Sequence, residues 1–206
     1  MQIDHVAMLA ASAEAKTADM RERFGLGAER GMFYPRAGTR HWFIPFLPPQ
    51  GLEVLEIEDR EAATTTADGK NVLAVEARGF GLFSWCVLVD DLESVSKRLS
   101  IEIFDYTLPQ PDGTLRGWRT VSGAPNLPFF IEYPNNGDRA GRFMAKYEQV
   151  GHASAPVRFS GLTISGSAQE HHEWLGPNEL PLKFVDGDLG VIEARIETNW
   201  GEAVIR

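Results

Sequence analysis

The feature that most constrains how this 206-residue chain folds is an internal repeat. A shift of 79 residues (84 − 5) lays His5 on Ser84, Ser12 on Asp91, Met20 on Leu99, Gly38 on Gly117, Arg40 on Arg119, Leu52 on Ile131 and Glu53 on Glu132. The paired residues differ in identity and mostly agree in role. His5 and Glu53 are 48 residues apart (53 − 5), as are Ser84 and Glu132 (132 − 84). Duplicated units fold alike and tend to face each other, so polar groups of both copies are expected around one cleft.

The hydrophobic pattern gives each copy the same order of elements. In the first, residues 2–9 read as a strand, with Ile3, Val6 and Met8 apolar. Ser12 caps a helix with Glu14 in its first turn, and Gly25 ends it near Phe24. Strands follow over 40–44 and 52–57. In the second, 82–89 is a strand and Asp90 to Glu93 has capping-box spacing. Leu92, Val95 and Leu99 then form a helical stripe. Strands over 101–106, 115–121 and 129–133 complete the copy, with Asp112-Gly113 as a turn signal. Each copy reads βαβββ. Between them Thr64 to Gly69 reads as a loop, and Val72, Leu73 and Val75 as a short helix or turn. Asn135 to Gly141 reads as a connecting loop. A third, shorter unit repeats the order: a strand over 157–165, a helix capped by Ser167 with Glu170 and stopped by Gly176-Pro177, then strands over 182–185, 190–197 and 203–206. Helices set among groups of antiparallel strands argue an α+β fold. The expected organisation is 1–140 as paired modules (1–60 and 80–135) and 150–206 as the third unit.

Composition narrows the function classes. The net charge of −9 opposes binding to nucleic acid or anionic membranes, both of which need a basic face. No apolar run is long enough to span a bilayer. Asp4 and His5 in an N-terminal strand read against a signal peptide. The single cysteine, Cys86, rules out an intrachain disulfide framework and fits a reducing, cytoplasmic setting. In Cys86-Val87-Leu88-Val89 it reads as a buried strand residue with no base beside it in sequence.

Ile3-Asp4-His5-Val6, Gly38-Thr39-Arg40-His41, Leu52-Glu53-Val54 with Asp59, Val89-Asp90-Asp91-Leu92 and Phe130-Ile131-Glu132-Tyr133, in this order and register, resemble the vicinal oxygen chelate superfamily, and within it the glyoxalase-like domain proteins. The resemblance implies paired βαβββ modules whose mixed sheets curl around a cleft. It also implies one metal ligand from the first and last strand of each module. Here those positions are His5, Glu53, Ser84 and Glu132. Ser84 departs from the pattern, since a neutral hydroxyl is a poor ligand for a divalent ion. The expected metal set is therefore His5, Glu53 and Glu132, suited to Zn, Ni, Mn or Fe(II). Glu56 competes with Glu53, but the 48-residue spacing favours Glu53.

Such an ion would polarise a carbonyl or enediolate oxygen, giving isomerase or lyase chemistry. Without one, Glu53 and Glu132 would repel, and one would keep its proton and act as a general acid or base. Substrate-binding candidates are Arg40, Arg119, His41 and Ser84. The arginines offer a bidentate grip on a carboxylate or phosphate; pairing with Glu53 and Glu132 is the plainer reading. Among Phe33, Tyr34, Trp42, Phe43, Phe46, Trp85 and Trp118, two or three are expected to face a ligand, and Trp85 to point away from Ser84. His152 reads as a loop residue, and His171 and His172 as surface.

Three functions are consistent with these residues. One is a metal-dependent enzyme acting on a small oxygenated or anionic metabolite. The second is a metal-free protein that binds or sequesters such a molecule. The third is an interaction role in which an uncovered third unit joins a second copy as a homodimer.

Overall fold

The computed structural model describes residues 1–47, 50–109, 115–133 and 136–206, with side chains for all of these except 109 and 136–139. The first module comprises β1 (Gln2–Leu9), α1 (Ala13–Phe24), β2 (Glu29–Tyr34), β3 (Thr39–Pro45) and β4 (Gly51–Ile57). Two helices follow, α2 (Arg60–Thr65) and α3 (Ala67–Ala77). The second module is β5 (Gly81–Leu88), α4 (Leu92–Leu99), β6 (Phe104–Pro109), β7 (Leu115–Val121) and β8 (Phe129–Glu132). All eight strands form one curled sheet, ordered β2-β3-β4-β1-β5-β8-β7-β6. The order reads alike from both ends. In each module the first strand lies parallel to the last, and β1 meets β5 antiparallel at the centre.

Local chemistry sets the helix limits. The Ser12 hydroxyl accepts the Ala15 N–H at 3.2 Å, and Gly25, at φ 69°, closes α1 in a left-handed turn. Asp91 accepts the Ser94 N–H at 2.9 Å and starts α4. The strand expected from Ile101 begins only at Phe104, because the Ile101 N–H is spent on the Ser96 carbonyl at the end of α4. The loop expected over Thr64 to Gly69 is helical instead. Asp59 caps α2 through the Ala62 N–H, Thr66 caps α3 through the Gly69 N–H, and the two helices meet at Thr66. Of the loop expected over Asn135 to Gly141, residues 136–141 belong to α5 (Asn136–Gln149), and Asn135 lies outside the described residues. This helix is held where Phe143 meets Phe43 edge-on at 5.2 Å and Lys146 lies 5.9 Å over the same ring. The Asp112-Gly113 turn signal lies outside the described residues.

The third unit comprises β9 (Arg158–Ser165), α6 (Ala168–Leu175), β10 (Leu182–Val185), β11 (Gly190–Thr198) and β12 (Gly201–Ile205). Its element order matches the modules, but its pairing does not. The sheet runs β10-β9-β11-β12, so the first strand neighbours the second and third strands rather than the last. Its apolar face is not exposed for a second copy. Phe159, Leu162, Ile164, Val191 and Ile196 share one core with Ile3, Val6, Trp85, Val87 and Phe130 of the large sheet. Each such side chain, fully buried, contributes about 1.5–3 kcal/mol. The half-sheet that motivated a homodimer is thus covered within the chain. No helix among the described residues is long and apolar enough to cross a membrane.

Candidate functional site

Strand alternation divides the large sheet into two faces. Ile3, Val6 and Met8 of β1 point into the core shared with the third unit. Ala7 and Leu9 point the other way, toward α3. A β-bulge between Ile3 and His5 interrupts the alternation, so the consecutive residues Asp4 and His5 both reach the cleft on the second face. This cleft has a volume of about 740 Å³. The sheet forms its floor, and α3 and α5 contribute walls through Val72, Val75, Phe143 and Lys146.

Its polar centre is built on β3 and β4. His41 and Glu53 stand on these adjacent strands, with His41 Nδ1 3.8 Å from Glu53 Oε1. The Met32 N–H donates to His41 Nε2 at 3.2 Å. That bond assigns the neutral ring's proton to Nδ1, the nitrogen facing Glu53. Nδ1 is buried and makes no hydrogen bond in this state. Burial holds the His41 pKa below the ordinary imidazole value, with Glu53 acting in the opposite direction and His5, Arg116 and Arg40 reinforcing the fall. The ring fits because residue 31 is glycine: a Cβ there would lie 1.8 Å from His41 Cδ2. Tyr34 meets His41 edge-on at 4.9 Å. Burial, then the charge of Glu53, raises the Tyr34 pKa well above its ordinary value, and Arg116 opposes this. The phenol therefore keeps its proton at neutral pH.

The second polar group lies on β1. His5 Nδ1 is 3.1 Å from Asp4 Oδ2, which also accepts the Tyr133 hydroxyl at 3.3 Å. His5 packs edge-on against Phe129 at 5.5 Å.

The residues expected at the site therefore part company. His5, His41, Glu53 and Ser84 line the cleft, whereas Glu132, Arg40 and Arg119 do not. Glu132 accepts the Leu92 N–H at 3.3 Å at the start of α4, and its other oxygen pairs with Arg119. Arg119 also binds Glu93 at 2.8 Å. Arg40 is spent on Glu58, not Glu53. The counterpart of Glu132 is Glu56, which accepts the Ala13 N–H at 2.8 Å at the start of α1. The strand register agrees, because Arg40 faces Glu56 and Arg119 faces Glu132. The first pair is 16 residues apart (56 − 40) and the second 13 (132 − 119). The second hairpin is three residues shorter, so the 79-residue shift does not reach the last strand. The divalent site expected from His5, Glu53 and Glu132 does not fit, since Glu132 lies on the opposite face with both oxygens engaged.

Of the seven aromatics, Tyr34, Phe43 and Trp118 line the cleft. Trp85 points away from Ser84 into the main core. His171 is fully buried beside Phe184 rather than on the surface, and only His172 is exposed. Asp4 and Arg116 escaped the reading of the sequence. Arg116 shares the cleft-facing parity of β7 with Trp118 and Thr120, opposite to Arg119, and makes no ion pair with a described residue. The spacing of Ile3, Val6 and Met8, three residues and then two, carried the signal for the bulge that turns Asp4 inward.

A family model described as a glyoxalase-like domain matches residues 3–178. No curated protein matches the chain. Among solved structures, a hypothetical protein from Staphylococcus aureus is 12% identical, with 92% of this chain and 88% of that one covered and a TM-score of 0.70. A methylmalonyl-CoA epimerase from Streptomyces coelicolor is 14% identical over 65% of this chain and 98% of that one, with a TM-score of 0.48. The first likeness speaks for the fold alone, and the second carries no argument.

Proposed function

We propose, from the premise that this chain belongs to the glyoxalase-like domain family, that its cleft binds a small oxygenated anion and moves a proton on it. The observation that carries this reading is the His41–Glu53 pair: a buried neutral imidazole aims an unsatisfied N–H at a cleft carboxylate from 3.8 Å. Glu53 takes a proton from a carbon next to the substrate carbonyl. The electron pair of that C–H bond moves onto the carbonyl oxygen. Arg116, cationic and making no ion pair with a described residue, faces the charge that develops. Tyr34 holds a proton that can be donated to the product, and His41 steadies the Glu53 carboxylate. Isomerase or lyase chemistry follows from where the proton returns. No step is routed through a metal. The apolar share of the cleft, with Leu55, Val72, Val75 and Phe129, supports a second reading in which an amphipathic molecule is bound and not turned over.

The test incubates the protein in D₂O with a panel of small 2-oxo acids, 2-hydroxy acids and acyl thioesters, following loss of the α-proton by NMR. Wild type should exchange at least one of them, and Glu53→Gln should slow that exchange by roughly 10²-fold or more. Ligand-induced thermal stabilisation should survive in the variant. Stabilisation without exchange in wild type would favour the binding reading, and neither effect across the panel would remove both.

A further inference from the structure

We propose that Asp4, His5 and Cys86 form a divalent-metal site, sharing only His5 with the set expected from the resemblance. One donor atom from each lies within 4.8 Å of the other two. Two backbone features create the cluster. The bulge in β1 turns both Asp4 and His5 to the cleft face, and the β1–β5 ladder sets His5 directly opposite Cys86. The carboxyl and thiol donors are withdrawn from water, Asp4 at 1% and Cys86 at 0% exposure. A divalent ion held there would balance the combined charge of a carboxylate and a thiolate.

Donor chemistry selects the ion. Thiolate and imidazole favour Zn(II) or Co(II) and disfavour Mg(II) and Ca(II), which seek oxygen. Binding converts the Cys86 thiol to thiolate and releases its proton to solvent. Three protein donors leave a tetrahedral ion one open position, and Asp4 and His5 line the cleft through which a ligand would reach it. The present Asp4–His5 contact of 3.1 Å shows that these two donors already lie side by side. Cys86 thus has a role that its place in an apolar run did not suggest. The proposal does not depend on the proton-transfer reading, because metal binding is measured without substrate.

The experiment titrates the metal-free full chain with Co(II) and then with Zn(II). One equivalent of Co(II) should bind with a sulfur-to-cobalt charge-transfer band in the near ultraviolet. Binding of either ion to the metal-free chain should release about one proton, and Zn(II) should then displace Co(II) with loss of the band and no further proton release. Cys86→Ser should abolish the band and weaken Zn(II) binding at least tenfold, and Asp4→Asn should also weaken it. Glu132→Gln should bind as wild type does. The wild-type spectrum needs no variant to fold. The proposal is overturned if wild type binds neither ion stoichiometrically, if Co(II) binds without the sulfur band, or if folded Cys86→Ser keeps wild-type affinity. Failure here with Glu53-dependent exchange intact would leave the proton-transfer reading standing, and the reverse result would leave the metal site standing.

Discussion

Arg40 and His41 are neighbours on β3, yet one pairs with Glu58 away from the cleft while the other lies beneath it. Alternation alone forbids both from facing one ligand. The same parity on β7 separates Arg119 from Arg116. These assignments were open to reading from the sequence once strand limits were known. What no pattern showed was that His41 is pinned by the Met32 N–H and by the missing side chain of Gly31. His152 gives a residue-scale prediction. Its Nδ1 accepts the Gly27 N–H at 2.9 Å, and burial lowers its pKa to about 4. Between pH 6.5 and 4 the unfolded chain takes up a proton that the folded chain refuses, so stability should fall as pH falls through this window. Below about 4 both states carry the proton and the loss is complete. After discounting for partial exposure, the His152 share is on the order of 1–2 kcal/mol. Urea midpoints measured from pH 7 to 4 should show a shallower fall in His152→Gln; an unchanged slope would count against this assignment.

The first-turn carboxylates belong to the scale of elements. Glu56 and Glu132 reach from the last strand of each module to the first N–H of that module's helix. A helix start leaves N–H groups unpaired and carries partial positive charge, so a carboxylate there is stabilising. Each module repeats this strap between strand and helix. Glu132→Ala should therefore cost about 1–2 kcal/mol in chemical denaturation, since it also removes a partner of Arg119, while ligand binding in the cleft stays as in wild type. Loss of binding with unchanged stability would instead return Glu132 to the site. Residue spacing pointed to Glu53 as its counterpart because a three-residue change in a hairpin is invisible to a fixed shift. The pairing of Arg40 with Glu56 and of Arg119 with Glu132 exposes it.

At the scale of the molecule, the large sheet is covered differently on its two faces. One face holds the cleft, and the other packs on the third unit. Contacts from both modules fasten that unit: the Ser154 hydroxyl donates to Phe24 O at 2.6 Å, the Phe159 N–H to Gln50 at 2.7 Å, the Trp174 indole N–H to Pro128 O at 2.8 Å and Arg98 to Glu173 O at 3.1 Å. The core they enclose is continuous from Ile3 to Ile205. The chain should consequently unfold as one cooperative unit, with far-UV dichroism and tryptophan fluorescence giving coincident urea transitions. Ile164→Ala, in the third unit, should destabilise that single transition by roughly 2–5 kcal/mol. Separate transitions for the two probes would show that the third unit folds independently.

The sequence by itself determined the two βαβββ modules, most strand and helix limits, and the presence of His5, His41, Glu53 and Ser84 along a cleft. The modules and their limits follow from local periodicity, capping and turn chemistry, which act over a few residues, and the cleft residues from the repeat and the family resemblance. Tertiary structure alone decided that Glu132 serves a helix and not the cleft, that Arg116 lines the cleft while Arg40 and Arg119 do not, and that the third unit covers a sheet within its own chain. It also brought Cys86 beside Asp4 and His5. Each of these depends on strand register or on a bulge, and a change of one position in either reverses the face to which a side chain points.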